Sequence, residues 1–182
     1  MPRLAPLDPA DFTPEQQRIA EAITSGRGGL RGPFLPWMRS PELCDRAQHL
    51  GEFCRFHSSL DAALSEFAII VTAQYWKSQY EFYAHAQMAS NAGVSDNVIE
   101  SVQAGEEPPY QDQKQQAIWM FVTEYLKTHR VSDATYERAR AALTERGVVD
   151  LVGIVGYYGL VSMTLNVFEV GLPEGAKSPF AE

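Results

Sequence analysis

Cysteine is scarce in this sequence, since Cys44 and Cys54 are the only two among 182 residues. On the helix predicted there, they point to different faces and lie roughly 15 Å apart along the axis. A disulfide within that helix is therefore excluded, and a Cys-x-x-Cys redox motif is absent. We expect two reduced thiols in a cytoplasmic protein.

Positive charge and the common ligand-binding motifs are also lacking. Fifteen Lys and Arg residues against 23 Asp and Glu give a formal net charge of -8 and a pI near 5.0. This balance disfavours nucleic acids and anionic membranes as partners. There is no glycine-rich phosphate loop and no zinc-type Cys/His cluster. The first residues contain no apolar segment of the kind found in secretory signals.

What the sequence does contain is the pattern of a helical globular domain. It is 45% hydrophobic and 21% charged, and it is long enough to bury one sizeable core. No strand-like alternation persists anywhere. We therefore predict a single all-α domain over residues 1–182, with about seven helices. A Pro-rich arm is expected at residues 1–12, and the core of the domain at residues 60–145.

Capping residues, glycines and prolines mark the helix boundaries. The predicted helices span residues 13–24, 40–57, 61–92 with one break, 95–104, 112–129, 132–146 and 148–170. The Gly- and Pro-rich composition of residues 26–37 predicts a loop, yet this segment and its neighbour Met38 are too apolar for a free linker. We expect this loop to pack against the domain or a neighbouring subunit; the alternative is that it lines a pocket.

The last predicted helix carries eighteen uncharged residues, from Leu151 to Phe168, at the edge of the length needed to span a membrane. Gly153, Gly156 and Gly159 recur at every third position, and no Lys/Arg cluster flanks the segment. Small residues in a stripe let another helix approach closely. We therefore predict a helix in a buried centre or a subunit interface rather than a membrane span.

The segment from Ser78 to His85 contains the closest grouping of residues that could act in catalysis. Glu81 and His85 are four residues apart, so they are neighbours on one helical face, while Ser78 and Glu81 match a capping box. In one straight helix, Glu66 would lie about 22 Å from Glu81 along the axis. We predict a helix break at residues 74–77, which would fold the chain back and bring Glu66 towards Glu81 and His85.

Four motifs in this part of the chain form a family pattern: SEFAII with Glu66, YEFYAH at 80–85, AGVSD at 92–96 and IESVQAG at 99–105. The pattern resembles the carboxymuconolactone decarboxylase-like family, which includes alkylhydroperoxidase D. The resemblance implies an all-helical protomer and a homo-oligomer, whether dimer, trimer or hexamer. The peroxidase branch has Cys-x-x-Cys-x-x-x-His. Here Ser78 and Glu81 stand at the two cysteine positions, so thiol peroxidase chemistry is not expected.

The decarboxylase branch implies a cofactor-free carboxy-lyase for a small carboxylated lactone or related ring from aromatic-acid breakdown. Loss of CO₂ creates a dienolate, which needs a donor for its oxyanion and a proton source. We predict His85 as general acid because its reference pKa is closest to neutral. Glu81 would orient His85 or carry the proton itself, Glu66 would set the imidazole tautomer, and Ser78 would bind an anionic oxygen.

The substrate contacts are predicted more loosely. Trp76 and Tyr80 are candidate pocket walls, and Arg39 is the candidate cation for a substrate carboxylate, with Arg55 or Lys77 in its place as alternatives.

Two other functions stay open at this point. One is a non-catalytic oligomer in which Glu66, Glu81 and His85 form closed structural hydrogen bonds with no cavity beside them. The other is the peroxidase activity attached to the superfamily, which would require Cys44 or Cys54 to lie exposed beside His85.

Overall fold

A computed structural model describes residues 2–181, without the side chain of Arg27. Within that range the chain forms eight α-helices and no β-strand, which confirms the all-α prediction. The helices are α1 (Pro14–Arg27), α2 (Phe34–Trp37), α3 (Pro41–Glu52), α4 (Ala62–Tyr75), α5 (Gln79–Asn91), α6 (Asp96–Ala104), α7 (Gln113–Thr128) and α8 (Asp133–Val167). A 3₁₀ turn (Pro9–Asp11) precedes α1, and a π-helical segment (Phe53–His57) follows α3.

The centre of the fold is α4. Every residue from Leu64 to Ala73 is buried, and the helix packs against α5, α7 and α8. A helix that is apolar on all sides is stable in water only when other elements surround it. Asp61 caps its start by accepting a hydrogen bond from the amide of Leu64. Glu66 is the one ionisable side chain in this buried stretch, so its charge requires partners from neighbouring elements.

The predicted break between α4 and α5 is confirmed. Helix α4 ends at Tyr75, Lys77 has a positive φ of 49°, and Ser78 is the extended N-cap of α5. The two helices then pack against each other. The capping box predicted for Ser78 and Glu81 is wrong, because the Ser78 side chain makes no capping hydrogen bond and the Glu81 carboxylate points elsewhere, towards His85.

Several predicted boundaries differ from the structure. Helix α1 runs to Arg27 instead of ending at residue 24. The helix predicted over residues 40–57 changes from α to π geometry at Phe53, which widens its last turn. The two helices predicted over 132–146 and 148–170 are present as the two parts of α8, which meet at a kink at Thr144 (φ 70°, ψ 169°) instead of at Gly147.

The segment predicted as a loop over residues 26–37 contains the end of α1 and the short helix α2. It packs on the domain, as expected, through Phe34, Trp37 and the following Met38. The Trp37 indole donates a hydrogen bond to Thr164 Oγ1 at 3.0 Å, which ties this segment to α8. Helix α8 is the single helix of the described chain that is long and apolar enough to cross a membrane. However, 61% of its apolar window is buried inside the fold, as in the core helix of a globular protein.

A pair of glycine substitutions tests the packing of α3 on α8. A Cβ at Gly51 would collide with the hydroxyl of Tyr157, whereas a Cβ at Gly26 in α1 meets nothing within 4 Å. We expect Gly51→Ala to lower the free energy of unfolding by about 1–3 kcal/mol through overpacking. Gly26→Ala should raise it by up to about 1 kcal/mol through lower backbone entropy in the unfolded chain. Urea denaturation measures both, and equal stabilities for the two variants would contradict this packing.

Candidate functional site

A cavity of about 180 Å³ lies where α5, α8, the π-helical segment and the loop before α2 meet. Its polar lining consists of two arginines, a glutamate, a histidine and three tyrosines. The remainder is glycine, alanine, proline and apolar side chains. The lining residues are Gly29, Arg31, Pro33, Phe34, Arg55, Tyr80, Glu81, Ala84, His85, Met88, Tyr157, Tyr158 and Val161.

His85 lies between two carboxylates. Its Nδ1 is 2.6 Å from Glu66 Oε2, and its Nε2 is 3.1 Å from Glu81 Oε1. Glu81 and His85 come from successive turns of α5, while Glu66 comes from α4. The break at residues 76–78 therefore creates this contact, since it turns α5 back along α4. The predicted convergence of the three side chains is present in the structure.

Arg55 completes the cluster from the π-helical segment. Its Nε is 3.8 Å from Glu66 Oε1, and one of its terminal nitrogens is 3.1 Å from Met88 Sδ. The guanidinium also lies 4.8 Å from the ring centroid of Phe56. Two cations thus face two carboxylates, which is the arrangement that lets four charged groups remain buried together.

The carboxylates determine the charge of His85. Burial by itself lowers the pKa of a histidine, but here the charges of Glu81 and Glu66, together with the hydrogen bond to Glu66, outweigh burial and raise the pKa of His85 to about 9. At neutral pH the ring is therefore an imidazolium. Both nitrogens then carry protons, and each points at a carboxylate.

Glu81 retains capacity for a further partner. Its Oε1 is close to His85 Nε2, but the contact lacks hydrogen-bond alignment, and the oxygen is enclosed with no hydrogen-bond partner in the described chain. The Glu81 side chain also forms part of the cavity wall. A buried carboxylate oxygen without a hydrogen-bond partner costs free energy, and a ligand in the cavity would contact the part of the Glu81 side chain that lines the wall.

Two tyrosines frame the cavity near this cluster. The Tyr158 ring contacts the His85 ring edge to face, with centroids 5.0 Å apart. At another wall, a Cβ on Gly32 would lie only 2.8 Å from the Tyr80 ring, so a glycine with positive φ is needed for the loop to approach it. Of the predicted pocket aromatics, Tyr80 lines this cavity.

The other predicted contacts lie away from it. Trp76 is at the end of α4, where its carbonyl accepts a hydrogen bond from Asn166. Ser78 is fully buried but does not line the cavity. Arg39 donates to the carbonyl of Ala5 and borders a separate groove beside the N-terminal arm. Lys77 lies over the ring of Phe180.

Three polar residues that line the cavity were not predicted from the sequence: Arg31, Tyr157 and Tyr158. The two tyrosines could have been recognised, because they place two hydroxyls in an otherwise apolar helix. Nothing in the sequence distinguishes Arg31.

The cysteines do not belong to the site. Cys44 and Cys54 are both fully buried, and neither lines the cavity. Burial, reinforced by the charge of Asp45, raises the pKa of the Cys44 thiol to about 11, so this sulfur is protonated at neutral pH. Across residues 2–181, no group of three or more His, Cys, Asp or Glu side chains has an arrangement that could hold a metal ion.

Comparison with solved structures identifies the fold. The alkylhydroperoxidase D core of an uncharacterised peroxidase-related protein from Ralstonia eutropha JMP134 superposes with a TM-score of 0.81 at 16% identity, covering 95% of this chain and 93% of that one. A peroxidase-related protein from Silicibacter sp. TM1040 gives 0.77 at 15% identity, over 93% and 91% of the two chains. A cysteine-to-alanine variant of the debrominase Bmp8, in complex with 2,3,4-tribromopyrrole, gives 0.74 at 13% identity, over 93% and 90%.

The chain thus has the alkylhydroperoxidase D-like fold. No protein-family model matches the sequence, and no curated protein matches it significantly. At these identities the solved structures establish the fold alone, and the reaction has to be inferred from the residues of the site.

The charge of His85 predicts a pH dependence of stability. Its pKa is about 9 in the folded chain and near 6.5 when unfolded, so the stabilisation is complete below about pH 6.5 and is lost as the pH rises through about 9. We expect the free energy of unfolding to fall by on the order of 3 kcal/mol over this range. Urea denaturation at a series of pH values measures the decline.

Two variants assign the decline to this histidine. His85→Gln should flatten most of the profile between pH 6.5 and 9, whereas His129→Gln, at an exposed position, should leave it unchanged. A wild-type stability that is constant across the range would contradict the proposed charge state of the cluster.

Proposed function

We propose that this protein is a cofactor-free carboxy-lyase that acts by acid–base chemistry on a small carboxylated lactone or a related ring compound. The observation that carries the proposal is the cavity itself, which opens onto Glu81 at the end of the chain of contacts Glu81–His85–Glu66. A purely structural cluster would have no cavity beside it, whereas Glu81 and His85 both line this one.

The geometry supports a definite order of proton steps. Both nitrogens of His85 face carboxylates, so the imidazolium does not itself point a proton into the cavity. Glu81 is the group that exchanges a proton with the substrate, and His85 supplies it from 3.1 Å away. Glu66 holds the opposite nitrogen and keeps the ring oriented. His85 is therefore the proton reservoir rather than the direct donor that the sequence suggested.

The charges around the cavity favour a substrate with one negative charge. Arg31, Arg55 and the His85 imidazolium provide three positive groups, against the two carboxylates of Glu66 and Glu81. One substrate carboxylate would balance the remaining positive charge. The volume of about 180 Å³ is smaller than the roughly 300–1,000 Å³ of pockets for drug-sized ligands, which favours a single small ring.

The reaction follows from this placement. The bond between the substrate ring and its carboxylate breaks, CO₂ leaves, and the electron pair moves through the conjugated double bond to the lactone carbonyl. The His85 imidazolium passes its proton to the Glu81 carboxylate, which delivers it to the ring carbon of the dienolate, and His85 is then reprotonated from solvent. Carboxylate and one proton are converted into CO₂ and a new C–H bond.

Two comparisons bear on the alternatives. The Bmp8 debrominase was solved with 2,3,4-tribromopyrrole, so this fold can hold a planar five-membered ring. Peroxidase-related names accompany other neighbours, but both cysteines here are buried away from the cavity, which weighs against a thiol peroxidase.

We also propose that the protein is a homo-oligomer. Helix α8 exposes an apolar strip on one side, formed by Val149, Val152, Leu160, Met163 and Val167. A second copy could cover such a strip, with the small residues Gly153 and Gly156 allowing close approach. Light scattering should give a mass that is a multiple of 20.3 kDa, and Val152→Glu should reduce it. A monomer mass for the wild type at micromolar concentration would contradict the assembly.

Loss of activity in single variants tests the carboxy-lyase. With an unsaturated five-membered lactone that carries a single carboxylate on the ring as substrate, wild-type protein should release CO₂, and Glu81→Gln should lower kcat by about 10²–10⁴-fold because the amide cannot transfer the proton. His85→Gln should have a similar effect, since it removes the reservoir. CO₂ release and lactone absorbance provide two independent measurements.

Glu21→Gln is the matched control, because Glu21 is exposed on α1, far along the chain from the cluster. It should turn over at the wild-type rate. Wild-type turnover by Glu81→Gln would overturn the proposed role of that residue, and a wild-type protein inert towards carboxylated lactones would overturn the activity.

A further inference from the structure

Tyr158 forms the wall of the cavity next to the proton-transferring groups. It is only 3% exposed, and its ring stands at 77° to the ring of His85, with centroids 5.0 Å apart. On its other side the ring packs edge to face against Tyr157, at 5.1 Å. These two contacts fix the ring plane, so the position of its hydroxyl is set by the packing of α8 against α5.

The Tyr158 hydroxyl makes no hydrogen bond to any residue of the described chain. Four side-chain atoms there are both fully enclosed and unpartnered: Arg55 Nε, Ser78 Oγ, Glu81 Oε1 and Ser162 Oγ. The Tyr158 oxygen is not one of them, so it keeps an accessible surface. Because the residue lines the cavity and is otherwise buried, that surface belongs to the cavity.

This hydroxyl is a donor at any physiological pH. Burial raises the pKa of Tyr158 well above its ordinary value, and the negative charges of Glu81 and Glu66 raise it further, whereas Arg55 opposes them. The phenol therefore stays protonated beside two carboxylates. A neutral donor that is already fixed in place is the kind of group that stabilises a developing oxyanion without reorganisation.

We propose that the Tyr158 hydroxyl donates a hydrogen bond to the enolate oxygen that forms when the substrate loses CO₂. This inference rests on the proposed function, and it replaces Ser78, which does not reach the cavity. The proton stays on the phenol throughout, so no bond to it is made or broken. Glu81 then protonates the ring carbon while Tyr158 holds the oxygen.

The placement narrows the substrate class. A ligand that meets Glu81 with its reacting carbon and Tyr158 with its oxygen must carry a carbonyl conjugated to the carbon that bears the carboxylate. Unsaturated lactones and cyclic enones with a carboxylate satisfy this requirement. Simple aromatic acids, which have no carbonyl to receive the electron pair, do not.

Binding of a stable enolate tests the donor without turnover. Tetronate is the anion of a five-membered lactone enol, and methyl tetronate is its neutral ether of nearly the same shape. Calorimetry or ligand NMR on the full chain should show that Tyr158→Phe weakens tetronate binding by about tenfold or more, the loss expected for a hydrogen bond to a charged oxygen. Methyl tetronate should bind the variant and the wild type alike.

Tyr136→Phe is the matched control, because Tyr136 lies on the same helix but borders a different groove. It should bind tetronate as the wild type does. Equal tetronate binding by Tyr158→Phe and wild type would overturn the inference, as would equal losses for the anion and the ether, which would indicate a structural role alone. The wild-type protein could bind tetronate through Tyr158 and yet release no CO₂ from carboxylated lactones. That result would support Tyr158 as the oxyanion donor and contradict the carboxy-lyase activity.

Discussion

The pairing of His85 with two buried carboxylates is the constraint on which the other features of the site depend. Removing charged groups from water costs several kcal/mol each, and this cost is recovered only when the partners are held in close geometry. Glu66 comes from α4, and Glu81 and His85 come from α5. The short break at residues 76–78, the π-helical turn that carries Arg55 and the edge of Tyr158 all serve that geometry. A displacement of the break or of the π-helical turn would leave a buried charge without its partner.

The same cluster separates this chain from the thiol chemistry expected in part of its fold family. By the family resemblance, the carboxylate at position 81 takes the place of a reactive sulfur, and the thiol of Cys44 is held protonated in the core. What remains beside the cavity is an imidazolium that holds a proton at neutral pH and a carboxylate that can pass it on. Such a pair suits reactions in which a carbanion equivalent has to be protonated, and it requires no electron transfer.

Sequence patterns predicted the helix boundaries correctly where capping residues close in the sequence determine them. Thr13 with Gln16 forms the expected capping box, and the break before Ser78 is where the capping signal placed it. The patterns failed where longer-range contacts decide. The Ser78 hydroxyl makes no capping hydrogen bond, and the Glu81 carboxylate lies beside His85 instead of returning to the Ser78 amide. The break between the last two predicted helices falls at Thr144, three residues before the glycine that marked it in the sequence.

The all-helical fold, the approach of Glu66 to Glu81 and His85, and the absence of a Cys-x-x-Cys motif could all be read from the amino-acid sequence. They follow from spacing along one or two neighbouring helices, which is set by the rise and periodicity of the α-helix. The other two members of the site, the Arg55 guanidinium and the Tyr158 hydroxyl, could be identified only from the tertiary structure. Arg55 and Tyr158 are separated from His85 by 30 and 73 positions in the sequence, and Arg39 and Lys77 were equally good candidate cations until packing placed them elsewhere. No local rule orders such distant side chains, because their positions depend on how whole helices pack.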